Sequence, residues 1–569
     1  APYVKGNQVN TKLNFKLTIK DKSDNSSTHD VNVVVKRVHR AMIFQGGVSL
    51  GAYEAGVFSA LVEKISKEDE SKKIQLEDEK RPLFDIVAGA SIGAMNGAIV
   101  VSNVIRHRSW EDSSKEVIKF WKDQEYPWPT IADSLDLNPI YHYWRDFVHS
   151  TSKVFKDSTS QMIELYSNMN RSFNDVLTNW FSVDPNFWKD YILDGWYVPA
   201  TAESCRRYYS AKQFDTFGAP NVASGIVPWS IFGKFFDLLD QSNSLPRPDN
   251  KHLPGFSLKR SLEQYARFPI KTDKEKGEPR FLLVTVDVKT GDAVTFDSYS
   301  EKIKYHNEEN YISYKKGIEI GHVLASGTFP GFFDYPKFQI ENESREMNQE
   351  RHFFWDGGFR SNTPLREIIQ AHRDYWHKTV NGAENEKDEG EKEDDDVPDL
   401  EVYIADLWPS ELKEEPISFD RDFVENRKWG ILFGDNTDYD EQVANFVTDY
   451  VDLARQLRNL AESKGASKDE INHILDGYAS SRNTKGQTRR YKELLGGRFR
   501  LTKVVRIDRK DDGNEVGNKI YDYSQTTIEV LMKDGYRDAL LQMGIQSVKD
   551  EFIKLDDKFT RLENKKERN

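Results

Sequence analysis

The sequence predicts an α/β fold with a mainly parallel sheet, because strand-like and helical patterns alternate around glycine-rich turns. A short apolar run at 41–44 precedes a glycine-rich loop and a helical pattern over 52–65. A second apolar run, 84–88, precedes a glycine-flanked serine and a small-residue helix through Val101. A third, at 281–288, returns to the core after a long interval. Strand–helix–strand units of this kind build parallel sheets with right-handed crossovers.

The rest of the chain is arranged around this core. Alternating apolar residues at 13–19 and 31–35 predict a β-hairpin. The stretch 107–260 is rich in Trp and Tyr, and its helical patterns near 111–123, 153–181 and 226–240 indicate an insertion, either a cap over the site or a second packing layer. The long amphipathic helix at 441–463 is expected to pack on the core. We predict four regions: an N-terminal β-hairpin extension (1–38), a catalytic core (39–106 and 261–410), a mainly helical insertion (107–260) and a C-terminal region of helices and strands (411–569).

Composition argues against several classes of protein. The 569 residues carry a net charge of −13, an acid excess that argues against nucleic acid as a partner. The single cysteine, Cys205, allows neither an intrachain disulfide nor a zinc cluster built from thiolates. No run approaches the roughly 18 apolar residues of a membrane span, and no signal-peptide pattern opens the sequence. We expect a soluble protein, with the cytoplasm favoured, and interpret the acidic run in 382–399 as a solvated loop, not a metal site.

The segment Gly89-Ala90-Ser91-Ile92-Gly93 predicts a nucleophile elbow. The pattern G-x-S-x-G is short, but here an apolar strand precedes it and an alanine-rich helix follows it. Such a strand-to-helix turn lifts the serine hydroxyl into a site, and the helix N-terminus beneath Ser91 favours developing negative charge. Glycine at 89 and 93 lets the backbone turn without Cβ clashes. The alternative is a glycine-rich turn with a structural serine.

The loop 45–51 is a candidate for binding an oxyanion. Its glycine-rich turn lies between a strand and a helix, where bare N–H groups can face a tetrahedral intermediate. Dinucleotide binding is not favoured, because Val48 breaks the G-x-G-x-x-G pattern, and no Gly-Lys-Ser/Thr of a Walker A loop follows. The purely structural alternative is a tight helix start.

Asp356, in the run Asp356-Gly357-Gly358, is the best candidate for the base that activates the serine. It ends an aromatic strand and opens a glycine turn, which places it at the carboxyl edge of the sheet, where open α/β sheets build sites. None of the twelve histidines has a comparable context; His322 lies in a helical run, and His352 on the strand before Asp356. The alternative is an ordinary Asp-Gly turn.

In combination, these motifs resemble those of the patatin-like phospholipase family. The shared pattern, in order and spacing, is Gly46-Gly47-x-x-x-Gly51, Gly89-x-Ser91-x-Gly93 and Asp356-Gly357-Gly358. Thr290-Gly291 and the segment 325–333 are similar to further family segments. The resemblance covers 40–110 and 280–410, and leaves out the hairpin, the helical insertion and the C-terminal region.

The resemblance implies a three-layer α/β/α core and a Ser–Asp dyad that hydrolyses lipid or other carboxylic esters. Ser91 would attack the acyl carbonyl, and Asp356 would take its proton and then activate water. The N–H groups of Gly46, Gly47 and Val48 would hold the oxyanion, and no metal or cofactor is implied. The chain departs from the family at Val48, where a third glycine is frequent, and at Leu50, where Lys or Arg is frequent. These departures leave the oxyanion geometry and any preference for anionic head groups open.

Two other functions stay open from the sequence. An α/β-hydrolase with a Ser–Asp–His triad would need a histidine late in the chain, and an inactive lipid-binding protein on the same fold would still bind after Ser91 is replaced. Aromatic residues in 180–197 and 232–236 suggest either peripheral membrane contact or the core of the insertion. The sequence does not indicate an oligomeric state.

Overall fold

The computed structural model describes much of the chain, with gaps mainly in the predicted insertion and the tail. The described residues are 10–20, 26–36, 38–71, 82–126, 201–219, 223–224, 258–304, 310–329, 336–342, 350–376, 397–408, 421–482, 488–495, 499–510 and 514–544. The helices predicted at 153–181 and 226–240, the aromatic residues considered for membrane contact, most of the acidic run and the charged tail lie outside these residues.

The described elements alternate between strands and helices. The strands are β1 (Asn10–Lys20), β2 (Ser26–Lys36), β3 (Val38–Phe44), β4 (Ile86–Ala90), β5 (Gly218–Ala219), β6 (Ala223–Ser224), β7 (Arg280–Asp287), β8 (Ala293–Asp297), β9 (Lys302–Lys304), β10 (Asn310–Ser313), β11 (Lys337–Asn342), β12 (Glu350–Asp356), β13 (Asp399–Asp406), β14 (Tyr478–Arg482), β15 (Thr488–Arg490) and β16 (Leu501–Asp508). The helices are α1 (Gly51–Ser71), α2 (Ile92–His107), α3 (Trp110–Gln124), α4 (Ala202–Phe217), α5 (Leu258–Tyr265), α6 (Ile320–Ser326), α7 (Gly358–Ser361), α8 (Leu365–Asp374), α9 (Arg421–Phe433), α10 (Asp438–Ser463), α11 (Lys468–Leu475), α12 (Tyr491–Leu495) and α13 (Gln525–Gln542).

One mixed sheet of ten described strands organises the molecule. Five of its strands run in the order β16-β13-β3-β4-β7 and are parallel to one another. Strands β8 and β12 pair antiparallel with β7, and β11, β10 and β9 extend the sheet beyond β12. The predicted α/β class with a mainly parallel centre is confirmed. The sheet also continues past residue 410, since β16 is its edge strand.

The core lies on both faces of this sheet. Met42 and Phe44 pack into one hydrophobic cluster with residues of α1, α2, α3 and α13, whereas Ala41 and Ile43 pack into a second cluster with α8. Successive strand residues point to opposite faces, so the two clusters are the two sides of the sheet. The resulting layers are helix, sheet and helix, as the family resemblance implies.

Strands β1 and β2, where the sequence predicts a β-hairpin, pair antiparallel in a sheet of their own, separate from the main one. His322 is buried in α6; it stacks on Phe338, and burial lowers its pKa to about 4. The packing of α10 differs from what its periodicity predicts. Only Thr448 and Val451 of α10 are buried, so most of its apolar residues face away from the core. No described helix combines the length and the apolar character needed to cross a bilayer.

Candidate active site

Ser91 stands at a sharp turn between β4 and α2. It is the N-cap of α2 and has φ 56° and ψ −127°, a strained combination for a residue with a side chain. The flanking glycines make the turn possible: a Cβ on Gly89 would lie 2.4 Å from the backbone of Gly93, and one on Gly93 would lie 2.2 Å from the carbonyl oxygen of Phe44. This is the geometry of a nucleophile elbow.

The register of β7 brings Asp356 to Ser91 across 265 positions of sequence. Ala90 pairs with Val284, and Asp356 pairs with the next residue, Thr285. Strand β8 pairs with the opposite edge of β7 at both positions. Strands β4 and β12 therefore pair with the same edge of β7, one after the other. Asp356 therefore lies at the carboxyl edge of the parallel strands, although its own strand enters antiparallel.

The two side chains form a short, buried hydrogen bond. Ser91 Oγ donates to Asp356 Oδ2 at 2.5 Å, and the N–H of Gly358 donates to Asp356 Oδ1 at 2.8 Å. Burial raises the pKa of Asp356 to about 7, against the opposing effect of these two hydrogen bonds. Desolvation disfavours the charged carboxylate, which leaves a group that can take up a proton near neutral pH.

Histidines in the described part of the chain have other partners. His352 Nδ1 lies 2.5 Å from Asp287 Oδ2, and His372 Nε2 lies 2.8 Å from the carbonyl oxygen of Pro398. His322 accepts from the N–H of Glu319. None of the described histidines hydrogen-bonds to either residue of the pair.

The last residue of α6 and the loop after it hold both residues of the pair in place. The N–H of Ser91 donates to Ser326 Oγ at 2.9 Å, and Ser326 Oγ donates to the carbonyl oxygen of Val284 at 2.6 Å. The N–H of Asp356 donates to the carbonyl oxygen of Thr328. Sequence reasoning noted this segment only as part of the family resemblance. Buried polar groups that share one hydroxyl in this way fix each other's positions.

Hydrogen bonds to the backbone of Gly46 hold the glycine-rich loop in place. Its N–H donates to Asn362 Oδ1 at 2.9 Å, while its carbonyl oxygen accepts from Trp408 Nε1 at 2.7 Å and Asn362 Nδ2 at 3.3 Å. A Cβ on Gly46 would lie 2.7 Å from the Cβ of Ser91, so the loop passes directly against this serine. Sequence reasoning missed Asn362 and Trp408, which carry no motif of their own.

Val48, which stands where the family frequently has a third glycine, adopts a backbone conformation that favours glycine. It has φ 52°, in the left-handed region that glycine adopts without strain and a β-branched residue adopts at a cost. A third glycine would fit this position directly. The N–H of Gly46 donates to Asn362. Of the three candidate oxyanion donors, only the N–H groups of Gly47 and Val48 therefore have no acceptor among the described residues.

The other motif glycines allow close packing around the pair. An added Cβ would lie 2.7 Å from Trp121 at Gly51, 2.1 Å from the carbonyl oxygen of Val284 at Gly357, and 2.8 Å from Asn362 Oδ1 at Gly358. Contacts below 3.0 Å would displace the neighbouring backbone or side chain. These glycines therefore keep the loop, the elbow and the aspartate turn in contact.

Aromatic side chains form a wall beside the pair, and we call this set the aromatic wall. Its members are Phe329, Phe359, Trp408, Trp429 and Phe433. Phe329 lies 5.1 Å from Phe359 between ring centroids, and Trp429 stacks on Phe433 at 5.6 Å. A Cβ on Gly358 would lie 3.4 Å from Phe433, which places the wall next to Asp356. Phe359 is 41% exposed, so the wall has an open side.

A sequence model described as Patatin-like phospholipase matches residues 42–369. The match spans more than half of the chain and includes the elbow, the glycine-rich loop and Asp356. The chain belongs to the patatin-like phospholipase family. Its members are in general lipid acyl hydrolases, so the patatin-like core described above is a lipid hydrolase core. Trp408, α9 and α10 lie beyond the matched residues.

Other comparisons add little to this assignment. No curated protein matches the chain. Among solved structures, the chain is similar to VipD from Legionella pneumophila, at 13% identity and a TM-score of 0.26, over 94% of this chain and 70% of that one. A TM-score this low does not support a comparison of the two folds.

Proposed function

We propose that this patatin-like protein hydrolyses carboxylic esters of lipids through an acyl-enzyme intermediate, with Ser91 as nucleophile and Asp356 as base. The observation that carries the proposal is the buried 2.5 Å hydrogen bond between Ser91 Oγ and Asp356 Oδ2. A serine is a weak nucleophile until a neighbouring base accepts its proton. Asp356 has the position and the raised pKa that such a base requires.

In the proposed first step, Ser91 Oγ attacks the ester carbonyl while Asp356 accepts the hydroxyl proton. Collapse of the tetrahedral intermediate expels the alcohol, which takes that proton from Asp356. Water then attacks the acyl-enzyme with Asp356 again as base, and the fatty acid leaves with Ser91 restored. The scheme uses neither a metal nor a cofactor.

The oxyanion of both tetrahedral intermediates would be held by the glycine-rich loop. Of the three N–H groups implicated by the family resemblance, those of Gly47 and Val48 are available in this structure, and that of Gly46 is held by Asn362. The N-terminus of α2 beneath Ser91 adds a favourable partial charge. We assign Gly47 and Val48 as the donors, and Gly46 would join them if Asn362 moved.

The test of the proposal is hydrolysis of p-nitrophenyl esters by the wild-type protein across pH. We expect kcat/KM to rise with pH and level off above an apparent pKa of about 7, because protonated Asp356 cannot accept the serine proton. Below that value the rate should fall about tenfold per pH unit. Absence of hydrolysis of both short and long esters at every pH would contradict the proposed activity.

We further propose that the aromatic wall holds the acyl chain. Its rings lie beside Asp356 and present an open side, and apolar surface of this kind stabilises a bound alkyl chain by about 0.8 kcal/mol per buried methylene. Trp429→Ala should lower kcat/KM for a long-chain ester about tenfold and leave that for the acetate ester nearly unchanged. The comparison is made with Tyr491→Ala, which removes an exposed aromatic ring outside the wall. Equal losses on short and long esters would argue against an acyl-binding role.

A further inference from the structure

The close packing around Gly46 requires a glycine there, and this leaves the glycine-rich loop flexible unless another group holds it. A Cβ on Gly46 would lie 2.6 Å from Asn362 Oδ1 and 2.7 Å from the Cβ of Ser91, so a larger residue would displace one of them. Glycine has more conformational freedom than any other residue. A donor stabilises an oxyanion most when its position is fixed before the reaction begins. The proposed oxyanion donors therefore need support from outside the loop.

One side chain, that of Asn362, supplies much of this support. It is 5% exposed and lies at the C-cap of α7. Its Oδ1 accepts from the N–H of Gly46 at 2.9 Å, and its Nδ2 donates to the carbonyl oxygens of Gly46 at 3.3 Å and of Phe433 at 2.7 Å. The bond to Phe433 fixes the amide, because only Nδ2 can donate to a carbonyl oxygen. Asn362 therefore holds both backbone polar groups of Gly46 at once.

These hydrogen bonds set the direction of the Gly47 N–H. A trans peptide unit is planar, and its C=O and N–H point in opposite directions. The carbonyl oxygen of Gly46 belongs to the same unit as the N–H of Gly47, and it is held by Asn362 and by Trp408 Nε1. The N–H of Gly46 lies in the preceding unit, which Asn362 also holds. Both peptide units around Gly46 are thus fixed, and the N–H of Gly47 points away from Asn362 and Trp408.

We propose that Asn362 is a positioning residue for ester hydrolysis, because it fixes the peptide unit that carries the Gly47 N–H, an oxyanion donor. The inference rests on the proposed function, since it names the residue that orders the proposed oxyanion site. Asn362 acts through the loop and not on the reacting atoms. Its effect therefore falls on the transition state, where the oxyanion forms, and not on the binding of the ester.

Asn362 also lies beside the proposed base. A Cβ on Gly358 would lie 2.8 Å from Asn362 Oδ1 and 3.1 Å from Asp356 Oδ1, so the two oxygens approach the same point. Burial raises the pKa of Asp356 and the hydrogen bonds from Ser91 and Gly358 oppose this, with no contribution from a described charged group. A carboxylate at position 362 would disfavour the charged form of Asp356 and raise its pKa further. The neutral amide of Asn362 avoids this effect.

The first test compares Asn362→Ala with Asn103→Ala in the full chain, on p-nitrophenyl acetate and a long-chain p-nitrophenyl ester. Asn103 is also buried, near the other end of α2 from Ser91, and its Nδ2 donates to the carbonyl oxygens of Ile99 and Tyr265. Asn362→Ala should lower kcat about 100-fold on both esters and leave KM within about threefold of wild type. Asn103→Ala should keep the wild-type kcat and KM, although it too loses a buried amide.

The second test is the pH profile of Asn362→Asp, which keeps the size of the side chain and the acceptor for the Gly46 N–H but loses both donors. The added charge should raise the apparent pKa of kcat/KM by about one unit or more. The plateau above that pKa measures positioning separately from this charge effect, and it should be at least about tenfold below that of wild type.

The outcomes separate this inference from the proposed function. With an active wild type, an unchanged or raised kcat in Asn362→Ala, or a loss confined to KM, would overturn the positioning role. If Asn362→Ala does not fold, a wild-type plateau in Asn362→Asp would overturn it. A wild type that hydrolyses no ester would instead contradict the proposed function, and the role of Asn362 in the reaction with it.

Discussion

Ser91→Ala is expected to abolish ester hydrolysis while leaving the fold intact. The substitution removes the oxygen that we propose forms the acyl-enzyme, and removal of a nucleophile lowers kcat by roughly 10⁴- to 10⁶-fold. The protein should still fold, because the backbone bond from Ser91 N–H to Ser326 Oγ is retained and only one small hydroxyl is lost. The measurement is the initial rate with p-nitrophenyl esters, together with a thermal melt.

The matched control for this variant is Ser361→Ala. Ser361 lies close to Asp356 in sequence and hydrogen-bonds to Glu367, but it makes no hydrogen bond with Ser91. Its activity should stay within a few-fold of wild type. If Ser91→Ala and wild type both lack hydrolysis yet bind lipid equally well, the chain is a lipid-binding protein on a hydrolase fold. If Ser91→Ala hydrolyses esters at the wild-type rate, another residue is the nucleophile.

The sequence was sufficient to predict the α/β class and to single out Ser91 and Asp356, which the structure brings into contact, and the reason is local. Ser91 sits in a five-residue motif whose flanking strand and helix are both visible as apolar patterns, and Asp356 opens its own glycine turn. Each signal depends on neighbouring residues, so a single sequence contains it. Their partnership was inferred from the family resemblance, and the register of β7 supplies its physical basis.

The supporting residues were not predictable in the same way. Asn362 reaches Gly46 across 316 positions of sequence and Trp408 reaches it across 362, and neither has a local pattern that marks it. Their roles follow from which strands are neighbours in the sheet. The orientation of α10 was misjudged for a related reason. Its apolar periodicity correctly predicted a helix, but periodicity cannot tell whether the apolar face meets the core or another molecule.

Asp356→Asn is expected to separate catalysis from stability. Asparagine keeps the shape of the side chain but cannot accept the serine proton, so kcat/KM should fall by roughly 10³- to 10⁴-fold. Its amide can still accept from the Gly358 N–H and donate to Ser91 Oγ, so the local structure should persist. Activity that survives this substitution would indicate a different base, and a scan of the histidines would follow.

Stability should change in the opposite direction to activity. Because burial raises the folded-state pKa of Asp356 to about 7, the folded wild type binds the proton more tightly than the unfolded chain does. That contribution is fully present below about pH 4 and is lost as pH rises to about 7. Asp356→Asn has no such loss, so above pH 7 it should be more stable than wild type by about 4 kcal/mol, from about three pKa units at 1.36 kcal/mol each.

Denaturant melts of both proteins at pH 5 and pH 8 measure this difference. The gain from Asp356→Asn should be larger at pH 8 than at pH 5. Ser361→Ala should show no gain that grows with pH, because the hydroxyl it removes hydrogen-bonds to the Glu367 carboxyl and favours its charged form. Equal stability of Asp356→Asn and wild type at both pH values would mean that Asp356 is not a strained, desolvated carboxylate. A raised pKa would then not explain how Asp356 acts as a base. A stabilised but inactive variant would instead show that the buried charge lowers stability in order to activate Ser91.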